Sequence, residues 1–273
     1  MADKKISGGT QEALNELGKS FARDVKEVPT KSTFVKDGKI TPDEFIAAGD
    51  RLVMKNPVWA WQGGDPAKKL WFLPDNKQFL QVKSIPCRVR ASTLAAEAKE
   101  EMIGGDNDDD WVAPETTNLS SEPAKEEPKP SGDEDDDEDI FNFDEDDPNA
   151  APTTNAFRRY DATICFDIYY LSPRLFLYGY DEDGTTPLTT EQILQDLSEE
   201  HAAKTVTTLP HPHLGIPWTA LHPCKHSITM KSMIDRESEA GRTLKVEQYM
   251  FYFLKFVQTI CPTLEIEKTI MSE

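Results

Sequence analysis

The chain has 273 residues, with 49 Asp and Glu against 30 Lys and Arg, and its formal net charge is −19. That excess of negative charge excludes the nucleic-acid backbone as an expected partner. No apolar run approaches the roughly 20 residues that span a bilayer, and four cysteines without a paired spacing predict a reduced protein of the cytoplasm. The acidic residues are concentrated in the segment 133–147, which contains eleven Asp or Glu and no Lys or Arg.

The first predicted element is an amphipathic helix over residues 10–28, whose apolar side chains recur at steps of three and four. These are Leu14, Leu17, Phe21, Val25 and Val28. The charges of this helix nearly cancel, so membrane contact would come from shallow insertion of its apolar side chains rather than from attraction to anionic lipid. The alternative is that the same face packs on the rest of the domain.

A second helix and a hairpin follow. Thr41-Pro42-Asp43-Glu44 offers an N-cap, a proline at the first helical position and the glutamate of a capping box. Residues 70–73 and 78–85 flank the turn-forming run Pro74–Lys77, and this arrangement predicts a β-hairpin.

From about residue 93 to 154 the composition shifts to acidic residues, Pro, Ser, Thr, Asn and Gly, which predicts a disordered insert. Two apolar islands stand within it: Trp111, and the group Ile140, Phe141 and Phe143 between two acidic blocks. Apolar residues in a solvated acidic chain are typical of docking peptides. The alternative is residual hydrophobicity without a partner.

Order returns after the insert. Apolar residues alternate over 164–170 and again over 174–180, which predicts a hairpin. Thr189 and Gln192 form a second capping box at the start of a short helix. The last helix is predicted over 246–260 and is apolar on most sides, so we expect it to be largely buried.

Between these helices lies the run His222-Pro223-Cys224-Lys225-His226. Apolar residues at helical spacing follow it, which predicts that Cys224 stands at a helix N-terminus. Unpaired N–H groups and the helix dipole favour the thiolate there, and Lys225 and His226 would act in the same direction if they face the sulfur. The sequence around Cys224 therefore predicts a reactive thiol as one interpretation.

Other readings of Cys224 remain open at this point. One alternative is that Cys224 is a buried core residue, as we expect for Cys87, Cys165 and Cys261. A second alternative is a zinc site formed by Cys224, His222 and His226, although the alternating spacing is not the usual ligand spacing. We expect no metal or cofactor. A cysteine protease is disfavoured, because no Cys/His/Asn arrangement is readable.

An antiparallel sheet, a segment bearing one cysteine, and then two helices resemble the ubiquitin-conjugating-enzyme fold, an α+β class. Local motifs resemble the autophagy-related conjugating enzymes more closely. They are GKITPDEFIAAGD at 38–50, PRL at 173–175 with GYDE at 179–182, KTVT at 204–207 with HPH at 211–213, HPCKH at 222–226, and FLKFVQ at 253–258.

The resemblance implies an activity. Cys224 would take an autophagy ubiquitin-like modifier as a thioester from the autophagy activating enzyme, and would pass it to the amine of phosphatidylethanolamine at autophagosome precursor membranes. The autophagy ligase-like conjugate is a further implied partner. The resemblance also implies that Ile140, Phe141 and Phe143 contact the activating enzyme and that Trp111 belongs to a modifier-binding motif. The alternative class is a non-catalytic scaffold on the same fold, which recruits partners through its acidic insert.

The resemblance also assigns the regions of the chain. They are a membrane-sensing helix in 1–32, a discontinuous core of 33–92 and 155–273, the disordered insert 93–154, and a handle-like insertion at about 198–216. Ubiquitin-conjugating enzymes place an asparagine shortly before the cysteine to polarise the thioester carbonyl, and none stands between His211 and Cys224. Thr205, His222 or backbone N–H groups are the expected substitutes, and His226 is a candidate for tuning the thiol.

Overall fold

The computed structural model describes residues 8–95, 157–200 and 205–266. Its strands are β1 Ala60–Gln62, β2 Phe79–Cys87, β3 Arg158–Asp167, β4 Ser172–Tyr180, β5 Val206–Pro210 and β6 Pro217–Leu221. Its helices include α1 Gly8–Ser20, α2 Phe34–Asp37, α3 Pro42–Lys55, α4 Thr190–Leu194, α5 His226–Glu239 and α6 Tyr249–Ile260. In this part of the chain the strands form one antiparallel sheet of order β1-β2-β3-β4-β6-β5. The predicted α+β class with helices on an antiparallel sheet is confirmed, and it is consistent with a ubiquitin-conjugating-enzyme-like fold.

The hairpin of β3 and β4 forms the centre of the sheet, as the alternating pattern predicts. Its register runs from Arg159 opposite Tyr180 to Asp167 opposite Ser172. Consecutive residues Leu175, Phe176 and Leu177 are all fully buried, so the hairpin is covered on both faces. The helix α6 contributes to that cover with seven buried side chains, which confirms the prediction of a largely buried last helix.

Both predicted capping boxes are present. In α3, the N–H of Glu44 donates to Thr41 Oγ1 at 3.2 Å and the N–H of Thr41 donates to Glu44 Oε2 at 2.8 Å. In α4, Thr189 and Gln192 exchange the equivalent pair of bonds at 2.9 and 3.3 Å. Each box pairs N–H groups that have no partner within the helix.

The hairpin predicted over residues 70–85 is wrong in its first arm. Residues 71–73 form turns, and β2 pairs instead with β1 and β3. The side chain of Gln78 holds the turns, since it accepts from the N–H of Leu70 at 2.6 Å and donates to the carbonyl oxygens of Leu70 and Leu73. These bonds satisfy backbone groups that a strand would have paired across the hairpin.

The first helix is shorter than the predicted 10–28, because α1 ends at Ser20. Tertiary bonds take up the carbonyl groups that further helical turns would have used. Ser20 O accepts from the N–H of Ile168 at 3.1 Å, and Val25 O accepts from Trp71 Nε1 at 2.7 Å. Within the predicted handle at 198–216, β5 pairs with β6 along its whole length.

Candidate functional site

Cys224 lies in a single 3₁₀ turn, Pro223–Lys225, directly before the 14-residue helix α5. Pro223 is buried and starts the turn, which suits its fixed φ and its missing N–H. The side chain of Cys224 is exposed, and Lys225 beside it is exposed as well. The sulfur is therefore reachable from solvent at the positive end of a helix dipole.

The other three cysteines are buried, as the sequence predicts, and all four lie within the described residues. Burial raises the pKa of Cys87 to about 11 and also raises the pKa values of Cys165 and Cys261. Neutral, enclosed thiols are poor nucleophiles. Cys224 is therefore the one cysteine of the four whose thiol is exposed for reaction with another molecule.

His222 caps the turn that carries Cys224. The backbone N–H of Cys224 donates to His222 Nδ1 at 3.2 Å. On the other edge of the ring, Nε2 lies 2.8 Å from Oε1 and 2.9 Å from Oε2 of Glu16 in α1. The ring of Tyr170, from the β3–β4 turn, packs edge-on against the imidazole with centroids 5.5 Å apart.

Glu16 is the outer member of a series of ion pairs that extends into the core. Arg174 Nη2 lies 3.3 Å from Glu16 Oε1 and 2.8 Å from Asp167 Oδ2. The side chain of Asp167 is fully buried and that of Arg174 is 2% exposed. Asp167 Oδ1 also accepts from the backbone N–H groups of Tyr169 and Tyr170, both at 3.0 Å. The carboxylate therefore fixes the β3–β4 turn from which Tyr170 reaches His222.

A small cleft lies beside the Glu16–His222 contact. Its lining residues are Glu16, Arg174, Thr207, Leu209, Ala220 and His222. Three of these side chains, Glu16, Arg174 and His222, are charged or ionisable, so the lining combines polar and apolar groups.

Thr205 lies next to the site through its backbone. Its carbonyl oxygen accepts from the N–H of His222 at 2.7 Å, one residue before β5 begins. This bond extends the β5–β6 pairing to the capping residue.

The ring of His226 lies in the core, so the condition under which it would favour the thiolate of Cys224 is not met. Its ring is 1% exposed and packs between Phe253 and Phe256 of α6, and Nδ1 donates to Pro173 O at 3.0 Å. Burial lowers the pKa of His226 to about 4, so the ring is neutral at physiological pH. His226 therefore anchors the start of α5 to β4 from inside the core.

The apolar side chains of α1 and of the segment directly after it pack on the domain in this structure. Leu17 and Phe21 are each 8% exposed, and Leu14 and Val25 are half-buried. The ring of Phe21 lies 6.2 Å from that of Phe176 in β4. The packing alternative stated for this helix is thus the arrangement observed, and a membrane contact would require these side chains to leave the core.

Four expected contact residues, Trp111, Ile140, Phe141 and Phe143, lie outside the described residues. Conversely, sequence reasoning did not assign Glu16, Tyr170, Arg174 or Asp167 to the site. Only Arg174 could have been recognised from the sequence. It lies two residues before the buried Phe176, so the two side chains are on the same face of the strand. An arginine at a buried strand position needs an acidic partner nearby.

Comparison of the sequence with known proteins identifies a family. The family model described as "Autophagocytosis associated protein, active-site domain" matches residues 44–268, a span that contains the turn of Cys224. Three relatives named autophagy-related protein 3 come from Dictyostelium discoideum, Arabidopsis thaliana and Schizosaccharomyces pombe, and they are 36%, 34% and 36% identical. The alignments cover 92%, 94% and 88% of this chain and 96%, 95% and 92% of the respective relatives.

Among the described residues, no helix combines the length and apolar character needed to cross a bilayer. The exposed cysteine before α5, the buried state of the other three cysteines, and the match over most of the chain agree with one another. The chain therefore belongs to the autophagy-related protein 3 family of autophagy conjugating enzymes.

Proposed function

We propose that the protein is an acyltransferase in which Cys224 carries an autophagy ubiquitin-like modifier as a thioester and transfers it to the amine of phosphatidylethanolamine. The observation that carries this proposal is the exposure of Cys224 in the 3₁₀ turn before α5, while the remaining three thiols are buried. A covalent carrier must expose its sulfur to two other molecules in turn, and Cys224 meets that requirement.

Two exchange steps make up the proposed reaction. The thiolate of Cys224 attacks the carbonyl carbon of the thioester held by the activating enzyme, and the thiolate of that enzyme leaves. The nitrogen of phosphatidylethanolamine then attacks the new thioester. A C–N bond forms, the C–S bond breaks, Cys224 leaves as a thiolate, and the nitrogen releases one proton.

The chain's own contribution to both steps is to hold the sulfur at a helix N-terminus. The dipole of α5 places partial positive charge there, which favours the thiolate as attacker and as leaving group. In the resting structure the N–H of Cys224 donates to His222 and the N–H of His226 donates to Pro223 O. We infer that polarising the thioester carbonyl requires another donor, and Thr205 and the exposed face of the turn are the candidates.

The proposed partners follow from the same function. They are the autophagy activating enzyme at Ile140, Phe141 and Phe143, the modifier at Trp111, the autophagy ligase-like conjugate, and phosphatidylethanolamine membranes. We propose that the protein acts in the cytoplasm and is recruited to autophagosome precursors. Membrane contact by α1 would begin with release of Leu17 and of Phe21 directly after the helix, because both are buried against the domain.

The thioester can be tested directly by mixing the protein with activating enzyme, ATP and modifier. Wild type should form an adduct that a thiol reductant removes. The Cys224→Ser variant should form an adduct that survives reductant, because an oxygen ester replaces the thioester. Cys224→Ala is the matched control and should form neither. An adduct on the alanine variant, or none on wild type, would overturn the proposal.

The membrane step can be tested by hydrogen exchange with and without small vesicles rich in phosphatidylethanolamine. Release of α1 should increase exchange in β4 around Phe176, which Phe21 covers in the structure. Vesicle binding with unchanged exchange there would reject the release of α1.

A further inference from the structure

We propose that Glu16 is a positioning residue for Cys224 and that it acts by fixing the tautomer of His222. This inference rests on the proposed role of Cys224 as the thioester carrier. It concerns a residue in α1 that lies 206 positions from His222 in the sequence and nevertheless contacts it.

The hydrogen bonds of the ring determine where its proton lies. The backbone N–H of Cys224 donates to Nδ1 at 3.2 Å, so Nδ1 must carry a lone pair rather than a proton. The single proton of a neutral imidazole is then on Nε2, which faces the Glu16 carboxylate at 2.8 Å. A carboxylate accepts hydrogen bonds and donates none, so it stabilises this tautomer over the other.

Neighbouring groups favour the ionised form of Glu16 and fix the position of its carboxylate. Partial burial opposes ionisation, but the hydrogen bond with His222 and the charge of Arg174 outweigh it, and the pKa of Glu16 is lowered. Arg174 is pinned by the buried Asp167, so the carboxylate of Glu16 has a fixed partner behind it. Tyr170 flanks the imidazole ring from the side and limits its rotation.

The tautomer matters because His222 is the N-cap of the turn that presents the sulfur. N-capping is usually performed by Ser, Thr, Asp or Asn, whose oxygen accepts in any state of the side chain. A histidine caps only when Nδ1 is unprotonated. Loss of this preference would leave the N–H of Cys224 without its acceptor and would free the turn to rotate. Transfer from Cys224 should then slow by about fivefold, the effect of one net hydrogen bond.

The tautomer can be measured by ¹⁵N NMR of the imidazole rings in the full chain, which contains five histidines. Wild type and Glu16→Gln should show His222 protonated on Nε2, because the amide oxygen of glutamine still accepts. Glu16→Ala should show both tautomers. Lys19→Ala is the matched control, since Lys19 is an exposed residue of the same helix, and it should resemble wild type.

The functional readout is single-turnover discharge of preloaded Cys224 onto phosphatidylethanolamine vesicles. We expect a decrease of about fivefold for Glu16→Ala and near-complete recovery for Glu16→Gln. The inference is overturned by a wild-type His222 protonated on Nδ1, by an alanine variant with unchanged tautomer and rate, or by equal losses in both variants. Failure of wild type to form any thioester would instead overturn the proposed function, and the NMR comparison would still decide on the Glu16–His222 pair.

Discussion

The buried ion pair between Asp167 and Arg174 provides the sharpest test of how the site is supported. The nearest charged atoms are 2.8 Å apart, and the two side chains are 0% and 2% exposed. We expect Asp167→Asn to lower the free energy of unfolding by about 3 kcal/mol, because it leaves a buried guanidinium without its main counter-charge. The value lies at the low end of the usual range because Glu16, at 3.3 Å, still compensates part of that charge.

Asparagine is the informative substitution because it retains an acceptor at the position of Oδ1. The N–H groups of Tyr169 and Tyr170 keep their partner, so the loss measures charge rather than turn geometry. Arg174→Met removes the cation and leaves the buried Asp167 carboxylate without its counter-charge. The double variant removes both charges, so it should be less destabilised than the sum of the single variants by about 2 kcal/mol.

Urea unfolding followed by the fluorescence of the five tryptophans measures all four proteins. A loss under about 1 kcal/mol for Asp167→Asn, or additivity within about 0.5 kcal/mol in the double variant, would refute the argument that the pair is a coupled buried unit.

Three further predictions concern stability. Burial lowers the pKa values of His211, His213 and His226 to about 3, about 4 and about 4, so below pH 6.5 the unfolded chain binds more protons than the folded one. The free energy of unfolding should therefore fall between about pH 6.5 and 4, by at most about 1.4 kcal/mol per pH unit for each ring, and a flat urea-unfolding series from pH 7 to 5 would contradict this. Leu17→Asp should cost about 3 kcal/mol, since it places a charge in the core, and a thermal shift no larger than that of a surface variant would contradict the docking of α1. Tyr249→Phe should cost about 1.5 kcal/mol, because the buried phenol donates to Gly38 O at 3.0 Å, and calorimetry showing no loss would count against that bond.

Local sequence predicted the elements whose bonds are local. The capping boxes at Thr41 and Thr189 formed as expected, because each box closes over three residues. The β3–β4 hairpin followed from alternation on both sides of a short turn. The predicted hairpin at 70–85 failed because Gln78 offers the backbone an alternative set of hydrogen bonds, which no alternation pattern reveals.

The sequence by itself therefore determined the fold class, most of the helices, and the identity of Cys224 as the candidate nucleophile, since each depends on short-range pattern or on residue chemistry. Tertiary structure alone decided that α1 ends at Ser20 with its apolar face in the core, and that His226 is buried. It also decided that Glu16 meets His222 from the far end of the chain. These outcomes depend on which surfaces and unpaired polar groups come together in space, and contacts across such separations leave no periodic trace in a single sequence.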